Sequence, residues 1–398
     1  MTLSPRPADP KIAHERRETK TMNINVLARP AALAVLGALA VAACGGSSGT
    51  SGSSSRLSTP RPVAVATGNP TQPVTLQESG STLVLPYLQK MVEPLQADYP
   101  NIKLAPSGGG SGKGISDAIA GTVQLGGSDA YLSDAQAQQN PDLLNIPIAI
   151  SAQAINYNLP GVDNLRLSGS VLADIYMGKI TKWNDPAIAK LNPNIHNLPA
   201  QTIVPVRRVE SSGDTFIFTS LLSATSRAWQ DGPGFGTTIA WPAVPGELTA
   251  TGNPGMVQVC KQTPGCVAYI GVSVENTALQ EGLGEALLQN KAGNFVKPTQ
   301  QTITAAVNAR AATIPNDLRA SLIYAPGAQS YPIVNYEYLM VKEHQSDPQV
   351  ALALRTFLTW AIDPSKGASS TNLAAVNFVA LPSTVIPKVK AAIAKIGG

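Results

Sequence analysis

Strand-like and helix-like patterns alternate along this chain from Val74 onward, and this alternation constrains the fold more than any other feature. Ile146–Ile150 and Thr202–Val206 are short apolar runs typical of buried strands. Apolar residues recur at helical spacing from Ile115 to Val123, and Asp347 with its following proline is typical of a helix start. Such alternation predicts an α/β fold. About 320 residues follow Val74, more than one hydrophobic core usually supports, so two lobes are expected.

Four turns rich in glycine and serine lie where a strand pattern ends or a helix pattern begins. Small residues let backbone N–H groups approach a ligand, and a helix N-terminus directs its unpaired N–H groups and its positive dipole end toward an anion. One turn also holds two arginines, and a guanidinium fork fits tetrahedral oxyanions. A single turn of this kind is usually only a turn, but four together predict an oxyanion site. The turns are Glu78–Leu83, Ser107–Gly114, Gly126–Ala130 and Arg207–Phe218.

Motifs that would indicate an enzyme are incomplete in these turns. The turn from Ser107 to Gly114 approaches a phosphate-cradling loop, but Ser107 stands at its first glycine and Gly114 at its final hydroxyl position. The dinucleotide fingerprint and the nucleophile elbow also fail. The histidines after the leader, His196 and His344, lie in polar surroundings, so neither is expected to act as a base. We therefore expect no catalytic residue, no metal and no cofactor.

The N-terminus has the pattern of an exported lipoprotein. An apolar run from Pro30 to Ala43 is too short to span a bilayer comfortably, and it ends in small residues as secretory signal peptides do. The sequence Val-Ala-Ala-Cys that ends at Cys44 resembles the lipobox of bacterial lipoproteins, which implies a lipid on Cys44. The alternative is a free cysteine that ends an apolar helix. The expected segments are a leader and signal peptide over residues 1–43, starting at Met1 or Met22, and a flexible tether over residues 44–73.

Cysteines and charge limit the possible partners. Cys260 and Cys266 are the two cysteines after Cys44, and an even pair in an exported protein predicts a disulfide. A zinc site is the weaker alternative, because no histidine has a suitable spacing. Residues 1–44 hold six basic and three acidic residues of the 29 and 25 in the chain, so the remainder is nearly neutral. Nucleic acid is therefore not expected as a partner.

The four turns, in this order and spacing, resemble those of the phosphate-binding proteins of bacterial phosphate ABC transporters. The resemblance extends to the segment Ala173–Asp185, which binds no ligand in that family, and covers nearly the whole chain after the signal peptide. It implies a two-lobed periplasmic-binding-protein fold of type II, with the ligand held in the cleft between the lobes. The implied boundaries are residues 74–153 and 330–398 for lobe I and 154–329 for lobe II, with hinge crossings near Ile155–Tyr157 and Ile333–Asn335.

The resemblance also implies the ligand contacts. Hydroxyl and N–H groups would donate to phosphate oxygens, Arg208 would supply the positive charge, and Glu210 would hold the guanidinium in place. Asp129 would accept the proton of a hydrogen phosphate ion, which sulfate lacks at neutral pH; its alternative role is to cap a turn. Asp214 stands where the family has threonine, so either only its N–H contacts the ligand or its carboxylate accepts a second phosphate proton. The implied contacts are Thr82, the backbone of Leu83, Ser111, Asp129, Arg208, Ser212, Gly213 and Asp214.

These observations predict a lipid-anchored extracytoplasmic receptor that binds inorganic phosphate and delivers it to the permease subunits of an ABC transporter. A monomer with no chemistry on its ligand is expected. Three alternatives stay open: the same fold binding sulfate, molybdate or a phosphonate; a secreted phosphoester hydrolase; and a surface adhesin or sensor. Asp129 argues against fully deprotonated anions, and the lack of a metal constellation or activated nucleophile in the sequence argues against a hydrolase.

Overall fold

The computed structural model describes residues 64–310 and 314–397. The predicted leader, the predicted lipid attachment residue Cys44 and the predicted tether as far as residue 63 lie outside the described residues. Among the helices that are described, none is long and apolar enough to cross a membrane.

Strands and helices alternate through the described residues, which confirms the predicted α/β class. The strands are β1 (Val74–Gly80), β2 (Ile102–Ala105), β3 (Leu125–Ser128), β4 (Leu143–Tyr157), β5 (Arg166–Leu167), β6 (Val204–Arg208), β7 (Leu248–Ala250), β8 (Cys266–Gly271), β9 (Gly284–Glu285), β10 (Leu287–Gln289), β11 (Phe295–Val296) and β12 (Val334–Lys342). The helices are α1 (Leu85–Asp98), α2 (Ser111–Ala120), α3 (Asp134–Gln139), α4 (Gly169–Tyr176), α5 (Pro186–Leu191), α6 (Gly213–Thr225), α7 (Arg227–Asp231), α8 (Gly252–Gln262), α9 (Glu275–Gln280), α10 (Gln300–Asn308), α11 (Pro348–Ala361), α12 (Ser370–Ala374) and α13 (Ile386–Ile393), with a 3₁₀ turn at Val272–Val274.

A mixed sheet runs through the described residues in the order β2-β1-β3-β12-β4-β8-β6-β7, with β9 also beside β4. Its first half consists of β2, β1, β3, β12 and Leu143–Ala152 of β4, which pairs antiparallel with β12. Its second half begins at Gln153, because Gln153–Tyr157 of β4 pairs antiparallel with β8 instead. β4 therefore runs from one half of the sheet into the other. A separate three-stranded sheet has the order β11-β10-β5.

Helices cover both halves of the sheet because each presents an apolar stripe toward it. α1, α2 and α11 pack on strands of the first half, and α6 and α8 pack on strands of the second half. Tyr269 of β8 stacks on Phe218 of α6, with ring centroids 4.4 Å apart, and both rings are fully buried. This contact fixes α6 against the sheet, which matters because the N-terminus of α6 enters the site described below.

Local sequence signals differ in how well they match the observed bounds of α11 and α1. α11 begins where predicted, because the Asp347 carboxylate accepts a hydrogen bond from the Gln349 N–H at 2.8 Å. Pro94 lies inside α1, and the helix nevertheless continues to Asp98. Lys90, whose carbonyl loses its helical donor at Pro94, is exposed. Water can therefore satisfy that carbonyl.

Two further predictions concern α2 and the cysteines. Val123 lies beyond the end of α2 and not on its apolar stripe, because Gly121 ends the helix in a left-handed conformation with φ of 71°. Cys260 and Cys266 form the predicted disulfide in the structure, with their Cα atoms 5.3 Å apart. Both cysteines are buried, and the bond joins the last turn of α8 to the start of β8.

Candidate anion-binding site

The four glycine- and serine-rich turns meet where β1, β3 and β6 end and where α1, α2 and α6 begin. Within the first half of the sheet, the Ser81 N–H donates to the Gly127 carbonyl at 2.9 Å. Between the halves, the Gly112 N–H donates to the Ser211 carbonyl at 3.0 Å. Gly80 has a φ of 145°, and a Cβ there would lie 2.0 Å from the Gly127 oxygen. The first pair of turns can therefore pack this closely only with glycine at residue 80.

Asp129 follows β3 and is 2% exposed. Its carboxylate accepts hydrogen bonds from the Ser81 hydroxyl and, at 3.2 Å, from the Ser111 hydroxyl. Burial, followed by the negative charge of Asp214, raises the pKa of Asp129 to about 7, although Glu337, Ser81 and Arg208 act in the opposite direction. Asp129 is therefore an acceptor held mainly by hydroxyl groups.

Thr82 and Leu83 connect β1 to α1 on the same side of the site. The Leu83 N–H donates to Ser81 Oγ at 3.0 Å, and the Leu83 side chain is fully buried. Thr82 Oγ1 accepts from Arg208 Nη2 at 3.2 Å and from the Asn253 N–H at 3.1 Å. Thr82 thereby links the first half of the sheet to residues of the second half.

Arg208 ends β6 and is 2% exposed. Its Nε donates to Glu210 Oε1 at 2.7 Å, and Nη1 donates to Asp214 Oδ2 at 2.5 Å. Asp214 also accepts from Gln153 Nε2 at 3.0 Å and from Asn253 Nδ2 at 2.9 Å. Two carboxylates thus share one guanidinium, and both oxygens of Asp214 are engaged with protein donors.

The pKa directions of this trio follow from burial and from the ion pairs. Burial acts to lower the pKa of Arg208, but Asp214 and Glu210 reverse the effect and raise it, so the guanidinium stays protonated. Burial acts to raise the pKa of Glu210, but the hydrogen bond and charge of Arg208 hold it below its usual value. The pKa of Asp214 is raised, because burial outweighs the opposing effects of Arg208, Gln153 and Asn253.

Ser212 and Gly213 form the start of α6, which faces Asp129. Ser212 caps the helix, since its Oγ accepts from the Thr215 N–H at 3.4 Å. A Cβ added to Gly213 would lie 2.3 Å from Ser111 Oγ and 2.4 Å from Asp129 Oδ2. The N-terminal turn of α6, with the positive end of its dipole, therefore lies directly against Asp129.

The structure gathers all eight sequence-predicted contact residues into this one cluster and adds partners that sequence reasoning missed. The Tyr269 hydroxyl accepts from the Arg208 N–H at 2.9 Å, and Glu337 contacts Asp129. Gln153 and Glu337 each lie within long buried strands, and a polar residue inside such a strand is a signal that could have identified them. The missed partners are Ser81, Gln153, Asn253, Tyr269 and Glu337.

Over residues 64–310 and 314–397, no group of three or more His, Cys, Asp or Glu side chains is arranged to hold a metal ion. The site combines hydroxyl groups, a guanidinium and a helix N-terminus around the buried carboxylate of Asp129, which is an arrangement suited to an anion that carries a proton.

Comparison with known proteins gives first the class and then the family. Residues 64–365 match a family described as the PBP superfamily domain. Phosphate-binding protein PstS of Methanocaldococcus jannaschii is 37% identical over 332 residues, covering 78% of this chain and 84% of that protein. Phosphate-binding protein PstS of Pasteurella multocida is 34% identical over 324 residues, covering 81% of this chain and 90% of that protein.

The fold agrees with that of a solved structure. The solved structure is that of PfluDING, a high-affinity periplasmic phosphate-binding protein bound with phosphate. It matches this structure with a TM-score of 0.62 and 21% sequence identity, and the match covers 80% of this chain and 93% of the PfluDING chain. The predicted two-lobed fold of type II is therefore confirmed. The chain belongs to the PstS family of phosphate-binding proteins.

Proposed function

We propose that this protein is an extracytoplasmic receptor that binds inorganic phosphate and delivers it to the permease subunits of an ABC transporter. One observation carries the proposal: a buried carboxylate, Asp129, lies among the donors of an anion site. A carboxylate repels a fully deprotonated anion, but it accepts a hydrogen bond from hydrogen phosphate or dihydrogen phosphate. The site therefore suits phosphate better than sulfate.

The ligand contacts are divided between two lobes in this proposal. Lobe I, residues 74–153 and 330–398, contributes Thr82, the backbone of Leu83, Ser111 and Asp129. Lobe II, residues 154–329, contributes Arg208, Ser212, Gly213 and Asp214. The change of β4 from β12 to β8 at Gln153 supports the first boundary, and the start of β12 at Val334 supports the second.

Asp214 contributes its N–H to phosphate, and its side chain braces Arg208. This role is supported by the four hydrogen bonds that the carboxylate and carbonyl of Asp214 accept from Arg208, Asn253 and Gln153. Glu210 holds the other side of the guanidinium. Asp214 and Glu210 together keep Arg208 in one orientation, but they also neutralise its positive charge.

The sequence and the relatives support an extracytoplasmic location for the receptor. A lipid on Cys44, followed by the tether over residues 44–73, would hold a monomeric receptor at the membrane surface. The sequence pattern at Val41–Cys44 supports the anchor, and the names of the PstS relatives support a binding protein and not an enzyme.

Calorimetric titration with phosphate and then with sulfate tests the proposal. Phosphate is expected to bind about a hundredfold more tightly than sulfate, since an unmatched pair of buried negative groups costs about 3 kcal/mol. Asp129→Asn replaces an acceptor by a donor and should reduce this ratio at least tenfold. Asp134→Asn, which changes an exposed acid, is the matched control. Equal affinities for the two anions in the unsubstituted protein would rule out the phosphate assignment.

A further inference from the structure

Glu337 lies behind Asp129 and has no role in the proposed contacts. Its neighbour Tyr338 in β12 pairs with Ser128 of β3, which places Glu337 beside the end of β3. Glu337 is fully buried, and Asn335 Nδ2 donates both to Glu337 Oε1 at 3.0 Å and to the Asp129 carbonyl at 3.4 Å, so the two acidic residues lie side by side. Their carboxyl groups interact, and each affects the pKa of the other. Two buried carboxyl groups in contact cannot both be ionised, so the pair must retain a proton.

The hydrogen bonds around Glu337 indicate which of its oxygens carries that proton. Oε1 accepts from the Ser151 hydroxyl and, at 3.0 Å, from Asn335 Nδ2. Oε2 is buried and accepts no hydrogen bond from any donor in the described residues. Oε1 therefore has the environment of a carbonyl oxygen, and Oε2 has the environment of a hydroxyl oxygen that can donate.

The hydrogen bonds to the pair favour the proton on Glu337. Two hydroxyl groups donate to the Asp129 carboxylate, whereas Oε2 of Glu337 receives no hydrogen bond from the described residues. Of the charges that face Asp129 from the second half of the sheet, Asp214 raises its pKa more than Arg208 lowers it. Burial, followed by the charge of Asp129, raises the pKa of Glu337 well above its usual value. Above about pH 7, Glu337 is therefore the acid and Asp129 the carboxylate of the pair.

We propose that Glu337 is a neutral carboxylic acid whose Oε2–H donates to Asp129, and that it thereby acts as a positioning residue for anion selectivity. This inference rests on the proposed function and deepens it. Hydrogen bonds from Ser81, Ser111 and Glu337 favour the ionised form of Asp129, whose remaining acceptor capacity then faces the ligand. Without the donor at residue 337, the pKa of Asp129 rises, and a protonated Asp129 can donate to sulfate.

Two substitutions at residue 337 separate donation from packing. Glu337→Gln keeps a donor, because its amide oxygen can replace Oε1 and its Nε2–H can replace the Oε2–H. Glu337→Leu keeps most of the volume but removes the donor. Phosphate and sulfate affinities of both variants and of the unsubstituted protein are measured by calorimetry from pH 6 to pH 9.

The expected result is a shift of the pH profile in one variant only. Glu337→Leu should move the loss of phosphate-over-sulfate selectivity at least one unit up in pH, which lowers the selectivity about tenfold near neutrality. Glu337→Gln should keep the selectivity within about threefold. A Glu337→Leu variant with an unchanged selectivity profile would overturn the inference.

Infrared spectroscopy provides a second test that does not depend on ligand binding or on the folding of the leucine variant. The unsubstituted protein should show a protonated carboxyl band at pH 7.5, to which Glu78 and Glu275 also contribute because burial raises their pKa values to about 8 and about 9. Glu337→Gln should reduce this band by the contribution of one carboxyl group. Glu93→Gln removes an exposed glutamate and should leave that band intact. Persistence of the full band in Glu337→Gln would overturn the inference. Failure of the unsubstituted protein to bind phosphate would instead overturn the proposed function, with the infrared result still deciding the state of Glu337.

Discussion

At the scale of single residues, the charge balance of the site depends on Arg208. Glu210 and Asp214 both bond to its guanidinium, so this buried trio carries a net negative charge. Attraction for a ligand must then come largely from hydroxyl groups, backbone N–H groups and the α6 dipole. Such a site favours the less charged, more protonated form of phosphate.

Replacing Asp214 with threonine tests this charge balance. Asp214→Thr leaves Arg208 with one carboxylate, which reduces the repulsion of the phosphate dianion. The affinity at pH 8 is expected to increase about tenfold, equivalent to about 1.4 kcal/mol, with a smaller change at pH 6 where the monoanion predominates. Calorimetry at both pH values measures the effect, and Asp134→Thr is the control. An equal change at pH 6 and pH 8 would show that Asp214 acts through packing and not through charge.

Some residues of the candidate site could be predicted from the sequences of the turns, whereas others could be recognised only once the folded structure was known. Arg208, Ser212 and Gly213 stand in one segment whose small residues and guanidinium already indicate an anion site. Asn253 and Glu337 interact with residues far away in the sequence. The contact of Asn253 depends on the position of α8 relative to α6, and that of Glu337 depends on β-pairing register; the local sequence determines neither.

At the scale of helices and strands, the candidate ligand site depends most on the position of the α6 N-terminus. Its cap at Ser212 and the stacking of Phe218 on Tyr269 hold the helix in place. Helix starts with a side-chain cap, such as Asp347 before α11, were also readable from sequence because the cap is local. A proline is tolerated at residue 94 inside α1, because the residue whose carbonyl loses its helical donor is exposed to water.

Gly213→Ala tests the close approach of α6 to the first half of the sheet. The added methyl group would lie 2.3 Å from Ser111 Oγ and 2.4 Å from Asp129 Oδ2, so it should prevent the two sides from meeting. We expect a loss of phosphate affinity of about a hundredfold or more, roughly 3 kcal/mol, with little loss of stability because alanine is a better helix former than glycine.

The matched control for this substitution lies in another helix of the second half. Gly255→Ala in α8 places its methyl group 3.7 Å from the Ala250 Cβ, which is ordinary contact. It should leave phosphate affinity unchanged. Calorimetry gives the affinities and thermal unfolding gives the stabilities; wild-type affinity in Gly213→Ala would mean that the ligand does not need this contact.

At the scale of the whole molecule, the two halves of the sheet meet at the site through a few direct bonds. Thr82 with Arg208 and Gly112 with Ser211 join residues from opposite halves. β4 provides a covalent and hydrogen-bonded connection between the halves, changing partners at Gln153. A ligand that bonds to both sides therefore stabilises the arrangement in which they touch.

Phosphate is accordingly expected to stabilise the protein and make it more compact at the same time. At a free phosphate concentration one hundred times the Kd, the free energy of unfolding should increase by about 2.7 kcal/mol. Small-angle X-ray scattering should show a smaller radius of gyration on phosphate addition, because only the closed arrangement satisfies both sides of the site. Gly213→Ala should show neither change at the same phosphate concentration, because its methyl group keeps the sides apart. Full stabilisation of the unsubstituted protein without any compaction would mean that phosphate binds to halves that are already closed.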